Sequence, residues 1–259
     1  MTRPPGTVLV TGVGRRRSIG TGIALGLAAD GHDLVLHHWR PYDDRLGYEQ
    51  GADDPANIAQ ECRDLGVRVE LVESDLSDPE VPEALVAQAV SVFGGPLRGV
   101  VMSHCESVDS SVTTTTLESW ERHFAVNTRA AWLLLRAVAD RLPEQADPDE
   151  PVTSVVALTS DHTANNLPYG ASKGALDRVV IAAAVELGRR GLRANVLNPG
   201  PIDTGWMTEE IRGLGVGQTP AGRLGRPSDT ADLVRFLLSP QGGWVTGQLL
   251  HSNGGFNAG

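Results

Sequence analysis

Residues 7–22 read TVLVTGVGRRRSIGTG, and this stretch decides the fold class. The apolar run Thr7–Thr11 is typical of a short buried strand, and the pattern after the glycines predicts an amphipathic helix from about Ile19 to Asp30. A glycine-rich turn between a strand and a helix lets backbone N–H groups approach a pyrophosphate, and the helix dipole favours the same anion. The stretch therefore predicts the start of a βαβ unit that binds a nucleotide.

Apolar runs and helical patterns alternate along the rest of the chain. Because strands that alternate with helices pair in parallel through right-handed crossovers, we predict an α/β fold with a parallel sheet. We expect one domain over residues 1–259, with insertions or lids in two irregular segments, 40–54 and about 203–222. The further predicted strands are Asp33–His38, Val67–Glu73, Gly99–Ser103, Val152–Thr159, Leu192–Leu197 and Gln248–His251, and the further predicted helices are Pro55–Leu65, Glu80–Phe93, Leu117–Leu142, Tyr169–Arg190 and Ser228–Leu238.

The composition excludes several classes of function. A formal net charge of −10 argues against nucleic-acid binding, because phosphate contacts need a basic surface. No apolar run approaches the roughly 18 residues that cross a bilayer, and the N-terminus lacks the pattern of a signal peptide. Two cysteines, Cys62 and Cys105, are too few for a disulfide framework. We therefore expect a cytoplasmic protein that binds neither nucleic acid nor membrane.

The histidines do not indicate a metal site. His37 and His38 are adjacent in a predicted strand, so they point to opposite faces and cannot chelate one ion together. His104 and His162 follow strands four and five, and we interpret them as polar side chains near the site. We predict no bound metal.

The end of the second strand bears on the choice of cofactor. NAD-binding folds usually place an acidic residue there for the ribose 2′-hydroxyl, whereas arginine accommodates the 2′-phosphate of NADP. Here the strand ends in LHHWR, which closes with Arg40 and contains no carboxylate. The nucleotide loop adds Arg15, Arg16 and Arg17. This supply of cations with no competing carboxylate favours NADP, and makes NAD the less favoured cofactor.

One tyrosine and the single lysine of the chain form the candidate catalytic pair. Tyr169 and Lys173 are four residues apart, so they share one face of the predicted helix. A lysine beside a tyrosine favours the phenolate and lowers the phenol pKa from its reference near 10. Such a tyrosine donates a proton to a carbonyl oxygen or takes one from an alcohol. Ser160 lies nine residues before Tyr169, at the end of the fifth predicted strand.

Together these motifs resemble the classical short-chain dehydrogenase/reductase family over nearly the whole chain. The resemblance is closest to a divergent member of the group that contains 3-oxoacyl-carrier-protein reductases and carbonyl reductases, and it implies a Rossmann-like, doubly wound sheet of about seven strands in a three-layer αβα sandwich. The matching features are TGVGRRRSIGTG at 11–22, the Asp75-Leu76 pair, Asn127 in FAVNTRA, Ser160, Tyr169-x-x-x-Lys173 and NPGPIDT at 198–204.

The resemblance implies hydride transfer between NADP(H) and a small carbonyl compound or secondary alcohol, the activity of a ketoreductase. It implies that Tyr169 is the general acid or base and that Ser160 hydrogen-bonds the substrate oxygen. Lys173 would bind the nicotinamide ribose and tune Tyr169, and Asn127 would hold a water that links the lysine to solvent. It also implies a homodimer or homotetramer in which the long helices 117–142 and 169–190 pack against their mates.

The same resemblance assigns the cofactor-binding residues. Asp75 would meet the adenine, and Ile202 and Thr204 the nicotinamide carboxamide. The full set is Gly12, Arg15, Arg16, Arg17, Ser18, Ile19, Gly20, Arg40, Asp75, Leu76, Asn127, Tyr169, Lys173, Pro199, Gly200, Ile202 and Thr204.

The chain departs from the family pattern in three places. Its nucleotide loop is longer, MSHC at Met102–Cys105 replaces the usual Asn-Asn-Ala-Gly, and the interval from Ser160 to Tyr169 is shorter. The longer arginine-rich loop is similar to that of some enoyl reductases, although those usually separate tyrosine and lysine more widely. The alternative from a different functional class is a regulatory protein that binds NADP and has no catalytic activity. Trp206 and Met207 follow the NPGPIDT motif, where they would contact a substrate or pack a lid against the core.

Overall fold

The parallel sheet predicted from the sequence is present in the computed structural model, which describes residues 6–47, 51, 54–150, 152–205 and 207–257. The strands among these residues are β1 (Thr7–Thr11), β2 (Asp33–His38), β3 (Val69–Glu73), β4 (Leu97–Met102), β5 (Thr153–Leu158), β6 (Leu192–Asn198) and β7 (Leu249–His251). All pair in parallel, in the order β3-β2-β1-β4-β5-β6-β7. The order reverses between β1 and β4, and ligands of doubly wound sheets bind beyond the carboxyl ends of the strands at such a point.

Helices cover both faces of the sheet, which confirms the predicted Rossmann-like sandwich of three layers. The helices are α1 (Ile19–Ala29), α2 (Arg40–Leu46), α3 (Asp54–Asp64), α4 (Val81–Ser91), α5 (Leu117–His123), α6 (Ala130–Ala139), α7 (Leu167–Leu187), α8 (Glu209–Gln218) and α9 (Pro227–Leu238). Because side chains alternate along a strand, Leu9 packs into the apolar layer of α4, α6 and α7, whereas Val8 and Val10 pack into that of α1, α3 and α9. Within the described ranges no helix combines the length and the apolar character needed to cross a membrane.

Two segments that we expected to be irregular contain helices. In the segment 40–54, α2 has Pro41 in its first turn and is followed by Gly47, whose φ of 65° is left-handed; proline at the start and glycine after the end are helix boundary signals. In the segment 203–222, the Thr208 side chain caps α8 by accepting a hydrogen bond from the Ile211 N–H. Three glycines in α8 lower its helix propensity, so its sequence does not indicate a helix.

The helix predicted over Leu117–Leu142 is divided. A π-helical turn, Phe124–Arg129, joins α5 to α6, and α6 ends at Ala139. Such turns are rare and frequently lie at functional sites. This one carries Asn127, which it holds buried against the carboxyl end of the sheet.

Candidate active site

A cavity of about 1180 Å³ lies beyond the carboxyl ends of the strands. The loops that follow β1 to β6 all contribute to its wall. Its volume exceeds the roughly 300–1,000 Å³ of an ordinary small-molecule pocket. The cavity therefore has room for a dinucleotide together with a second small molecule.

The loop after β1 forms a cradle that requires glycine. Gly12 has a φ of +77°, and a Cβ on it would lie 2.7 Å from the backbone of Ser103 and His104. A Cβ on Gly20 would lie 2.5 Å from the Gly12 carbonyl oxygen. Ser18 caps α1 by accepting a hydrogen bond from the Thr21 N–H at 3.1 Å. Backbone N–H groups at a helix N-terminus bind phosphate, so this cradle fits the pyrophosphate of a dinucleotide.

Most of the residues predicted to bind the cofactor meet around this cavity. Within the described part of the chain, the predicted residues in its wall are Gly12, Arg15, Ser18, Ile19, Asp75, Leu76, Tyr169, Lys173, Pro199, Gly200, Ile202 and Thr204. The predicted residues that the structure does not bring into the wall are Arg16, Arg17, Gly20, Arg40, Asn127 and Ser160. Gly20 lies beside the cradle, where the Gly12 carbonyl oxygen leaves no room for a Cβ.

The expectation that no carboxylate faces the four arginines is wrong. Arg15 is the one of the four that lines the cavity, and its Nε lies 3.0 Å from Oδ1 of Asp43 on α2. Burial raises the pKa of Asp43, while Arg15 opposes that shift. The other three arginines also face carboxylates, which helix formation and folding bring to them. The pairs are Arg16 with Glu61, Arg17 with Asp203 at 3.1 Å, and Arg40 with Asp44 at 3.7 Å.

Helix α7 brings the tyrosine and the lysine to the cavity on one face, as predicted. Lys173 is 2% exposed, and its Nζ donates a hydrogen bond to the Leu158 carbonyl oxygen at 2.7 Å. The same Nζ lies 5.7 Å from the centroid of the Tyr169 ring. Burial lowers the pKa of Lys173, while Cys105 and Asp177 oppose that shift. The lysine is thus held rigidly against β5, with its ammonium beside the phenol.

Asn127 is buried behind the cavity wall. Its Oδ1 accepts a hydrogen bond from the Glu106 N–H at 2.7 Å, and its Nδ2 donates to the Glu106 carbonyl oxygen and the Ser172 hydroxyl, both at 2.9 Å. The side chain therefore fastens the segment after β4 to α7. That Asn127 holds a water which links Lys173 to solvent stays a prediction.

Ser160 follows β5 but is not among the residues that line the cavity. Thr159, Asp161 and His162 line the cavity around it, whereas the Ser160 hydroxyl accepts a hydrogen bond from the His162 N–H at 3.2 Å. The hydrogen bond from Ser160 to a substrate oxygen stays a prediction.

His104, in the segment that stands where the family usually has Asn-Asn-Ala-Gly, is buried and contacts two distant parts of the chain. Its Nδ1 lies 2.6 Å from the Thr11 hydroxyl, and its Nε2 lies 3.1 Å from the Val126 carbonyl oxygen. Burial lowers the pKa of His104 to about 3, so the ring is neutral. A carbonyl oxygen only accepts, so Nε2 carries the proton and Nδ1 accepts from Thr11. His104 therefore ties the end of β1 to the π-helical turn.

An acidic residue that sequence reasoning missed lies beside the predicted adenine site. Glu106 lines the cavity and is 3% exposed, and its carboxylate pairs with Arg45 on α2 and, at 3.1 Å, with Arg122 on α5. Arg122 also lies 3.4 Å from the Asp75 carboxylate. The cluster joins α2, α5 and the loops after β3 and β4. Its one sequence signal is that Glu106 lies four residues after the end of a buried strand.

The other side of the cavity is apolar. Met207 and two residues of α8, Ile211 and Leu214, line it, whereas Trp206 lies outside the described residues.

In the portion of the chain that the structure describes, no three His, Cys, Asp or Glu side chains are grouped so that they could hold a metal ion.

Comparisons with known proteins give consistent matches. The family model described as enoyl-(acyl carrier protein) reductase matches residues 12–257. The uncharacterized oxidoreductase YjdA of Bacillus subtilis is 32% identical over 252 residues, which are 96% of this chain and 95% of the relative. An NADPH-dependent aldehyde reductase-like chloroplastic protein of Arabidopsis thaliana is 30% identical over 94% of this chain and 92% of its own. A blue fluorescent protein from a metagenomic library, crystallised with NADPH, has a TM-score of 0.82 and 29% identity, and covers 97% of this chain and 98% of its own.

Proposed function

The chain belongs to the short-chain dehydrogenase/reductase family, and from that premise we propose that it transfers a hydride between NADP(H) and a carbonyl compound or secondary alcohol. The observation that carries the proposal is the position of Tyr169 and Lys173 in one cavity with the glycine cradle after β1. A proton donor and a dinucleotide cradle in one cavity suit a reaction that adds a hydride and a proton to the same double bond.

The residues of the chain have separate tasks in this proposal. When bound, NADPH supplies a hydride for the carbonyl carbon. Tyr169 donates its phenolic proton to the carbonyl oxygen, and in the reverse direction it takes the proton from the alcohol. Lys173 holds the nicotinamide ribose and favours the phenolate through its positive charge. The cradle of Gly12, Ser18 and Ile19 holds the pyrophosphate.

NADP rather than NAD is the cofactor that we propose. Arg15 is the predicted arginine whose position supports this choice, because it lines the cavity beside α2. The names of two proteins similar to this chain, the aldehyde reductase-like protein and the blue fluorescent protein, include NADPH. Asp43 opposes the choice, since its carboxylate faces Arg15 and repels a phosphate.

Arg15→Ala is expected to weaken NADPH binding roughly 10- to 100-fold while changing NADH binding little. The reason is that one charge-assisted hydrogen bond contributes about 1.5–3 kcal/mol. Asp43→Asn should tighten NADPH binding, because it removes a competing negative charge. Fluorescence titration of both cofactors measures these effects. Arg16→Ala is the matched control, as Arg16 faces Glu61 on α3. Tighter binding of NADH than NADPH by the natural chain would contradict the proposal.

An enoyl reductase is the second candidate, and the description of the matching family model favours it. The four-residue spacing of Tyr169 and Lys173 supports the carbonyl reductase instead. A screen of NADPH oxidation with ketones, 3-oxoacyl thioesters and enoyl thioesters separates the two. A chain that binds NADPH and oxidises it with none of them would be the regulator considered above.

We also propose that the chain is one domain, works in the cytoplasm and carries a substrate lid over residues 203–222. The free thiols of Cys62 and Cys105 support a reducing compartment. The contact of Ile211 and Leu214 on α8 with the cavity supports the lid.

The chain is expected to form a homodimer or homotetramer through α6 and α7. Trp132 on α6 is 49% exposed and Val185 on α7 is 79% exposed, and large apolar side chains exposed on these two helices support an interface there. Light scattering at micromolar concentration should give two or four times the chain mass of 27.5 kDa. Val185→Arg should lower the measured mass. A mass of 27.5 kDa for the natural chain would contradict the proposal.

A further inference from the structure

A polar pair closes the cavity wall just before the helix that carries Tyr169. Asn166 immediately precedes α7, and Ser107 lies in the segment after β4. The Asn166 Nδ2 donates a hydrogen bond to the Ser107 hydroxyl oxygen at 2.9 Å. Both residues line the cavity. We name them the Ser107–Asn166 pair.

Asn166 is held in an unusual state. An asparagine at the start of a helix normally accepts a hydrogen bond from a backbone N–H of the first turn, but the Asn166 side chain makes no such cap. Asn166 is 5% exposed, and among the described residues nothing donates a hydrogen bond to its Oδ1. A buried acceptor without a donor is costly and calls for an explanation in a native structure. A donor on a bound ligand supplies one.

Ser107 offers the complementary half of a hydrogen-bonding site. Its oxygen accepts from Asn166, and in the described part of the structure no group takes its hydroxyl proton. The pair therefore presents one acceptor, the Asn166 Oδ1, and one donor, the Ser107 O–H. A hydroxyl group both donates and accepts, so a single ligand hydroxyl matches both.

We propose that the Ser107–Asn166 pair binds a hydroxyl group next to the reacting carbonyl, so that the substrate class is the α-hydroxy ketones and aldehydes. This rests on the proposed function. Asn166 lies three residues before Tyr169, at the start of the helix that carries the tyrosine, and its carbonyl oxygen accepts a hydrogen bond from the Gly170 N–H at 3.1 Å. Groups so close reach neighbouring carbons of one small substrate. The apolar side of the cavity, which Met207 and Ile211 line, accommodates the remaining carbon atoms of the substrate.

The reaction balances as a reduction. The carbonyl carbon gains a hydride from NADPH, and the carbonyl oxygen gains the Tyr169 proton, which solvent later replaces. The carbon–oxygen π bond breaks, and the products are a 1,2-diol and NADP⁺. The neighbouring hydroxyl stays intact, held by Ser107 and Asn166.

The test compares a 1-hydroxyalkan-2-one with the alkan-2-one of the same chain length, both with NADPH. The natural chain should show a kcat/KM at least about tenfold higher for the hydroxy ketone, because polar groups left unpaired by the plain ketone disfavour it. Asn166→Leu keeps the side-chain shape and removes both polar atoms, so the kcat/KM ratio should fall towards one. Ser107→Ala should lower the ratio as well. Asn57→Leu, the same substitution on the exposed face of α3, should keep it.

Two results would overturn the inference. One is a natural chain that reduces both ketones with equal kcat/KM, and the other is an unchanged ratio in Asn166→Leu and Ser107→Ala. Retained NADPH binding, measured by fluorescence, shows that a variant is folded, and Ser107→Ala serves if Asn166→Leu does not fold. If the protein reduces plain ketones but does not reduce hydroxy ketones, only the subsite is contradicted. If it reduces no carbonyl compound at all, both the proposed function and the subsite are contradicted.

Discussion

Tyr169→Phe is expected to lower the kcat for carbonyl reduction by about 10²–10⁴-fold, which is the usual contribution of a general acid. The substitution removes the phenolic hydroxyl and keeps the ring that packs beside Lys173 in the wall of the cavity. The dissociation constant of NADPH should therefore change little. Steady-state NADPH oxidation with a verified substrate measures the first quantity, and fluorescence titration measures the second.

Tyr42→Phe is the matched control for this experiment. Tyr42 also lines the cavity, but it lies on α2, beside Arg45. Removal of its hydroxyl is expected to leave kcat largely intact. If Tyr169→Phe kept the turnover of the natural chain, Tyr169 would not be the proton donor, and another acid in the cavity would have to be sought.

Lys173→Arg is expected to lower kcat/KM roughly 10- to 100-fold, the loss that corresponds to one charge-assisted hydrogen bond. The Lys173 side chain is buried, and its Nζ fills a position 2.7 Å from the Leu158 carbonyl oxygen. A planar guanidinium is larger and cannot take that buried position beside the Tyr169 ring. The measurement is kcat/KM for the carbonyl substrate, together with the dissociation constant of NADPH.

Lys173→Met separates the role of charge from that of shape. Methionine has a similar shape to lysine and carries no charge. Lys173→Met should therefore impair catalysis at least as strongly as Lys173→Arg does. Thermal unfolding of each variant shows that the loss is not one of folding. Natural turnover in either variant would contradict the role proposed for Lys173.

The parts of the fold that the sequence predicts are those fixed by local pattern. Strand, turn and helix are defined within twelve residues by the β-branched and leucine residues of Thr7–Thr11, the required glycine at Gly12 and the cap at Ser18. Helix α8 is not predicted from the sequence because its three glycines lower its helix propensity. The start of α8 is set by the Thr208 cap, and none of its residues is buried.

The parts of the site that the sequence does not predict depend on contacts between distant segments. Asp43 reaches Arg15 only because residues 40–46 form a helix that folds back over the nucleotide loop. Glu106 lies buried because Arg45 and Arg122 converge on it from two other helices. The spacing of residues along the chain does not indicate which side chains from distant segments come together. The pair Tyr169 and Lys173, by contrast, is four residues apart on one helix and is predictable for that reason.

Isotope labelling of the nicotinamide follows the hydride itself. The protein is incubated with a ketone and with NADPH deuterated at C4 of the nicotinamide, with one sample for each face of the ring, and the product is analysed by mass spectrometry and NMR. We expect a secondary alcohol that carries one deuterium on the former carbonyl carbon, from one of the two faces only. Absence of deuterium from that carbon, or reduction of an enoyl thioester with deuterium on its β-carbon in place of ketone reduction, would contradict the account.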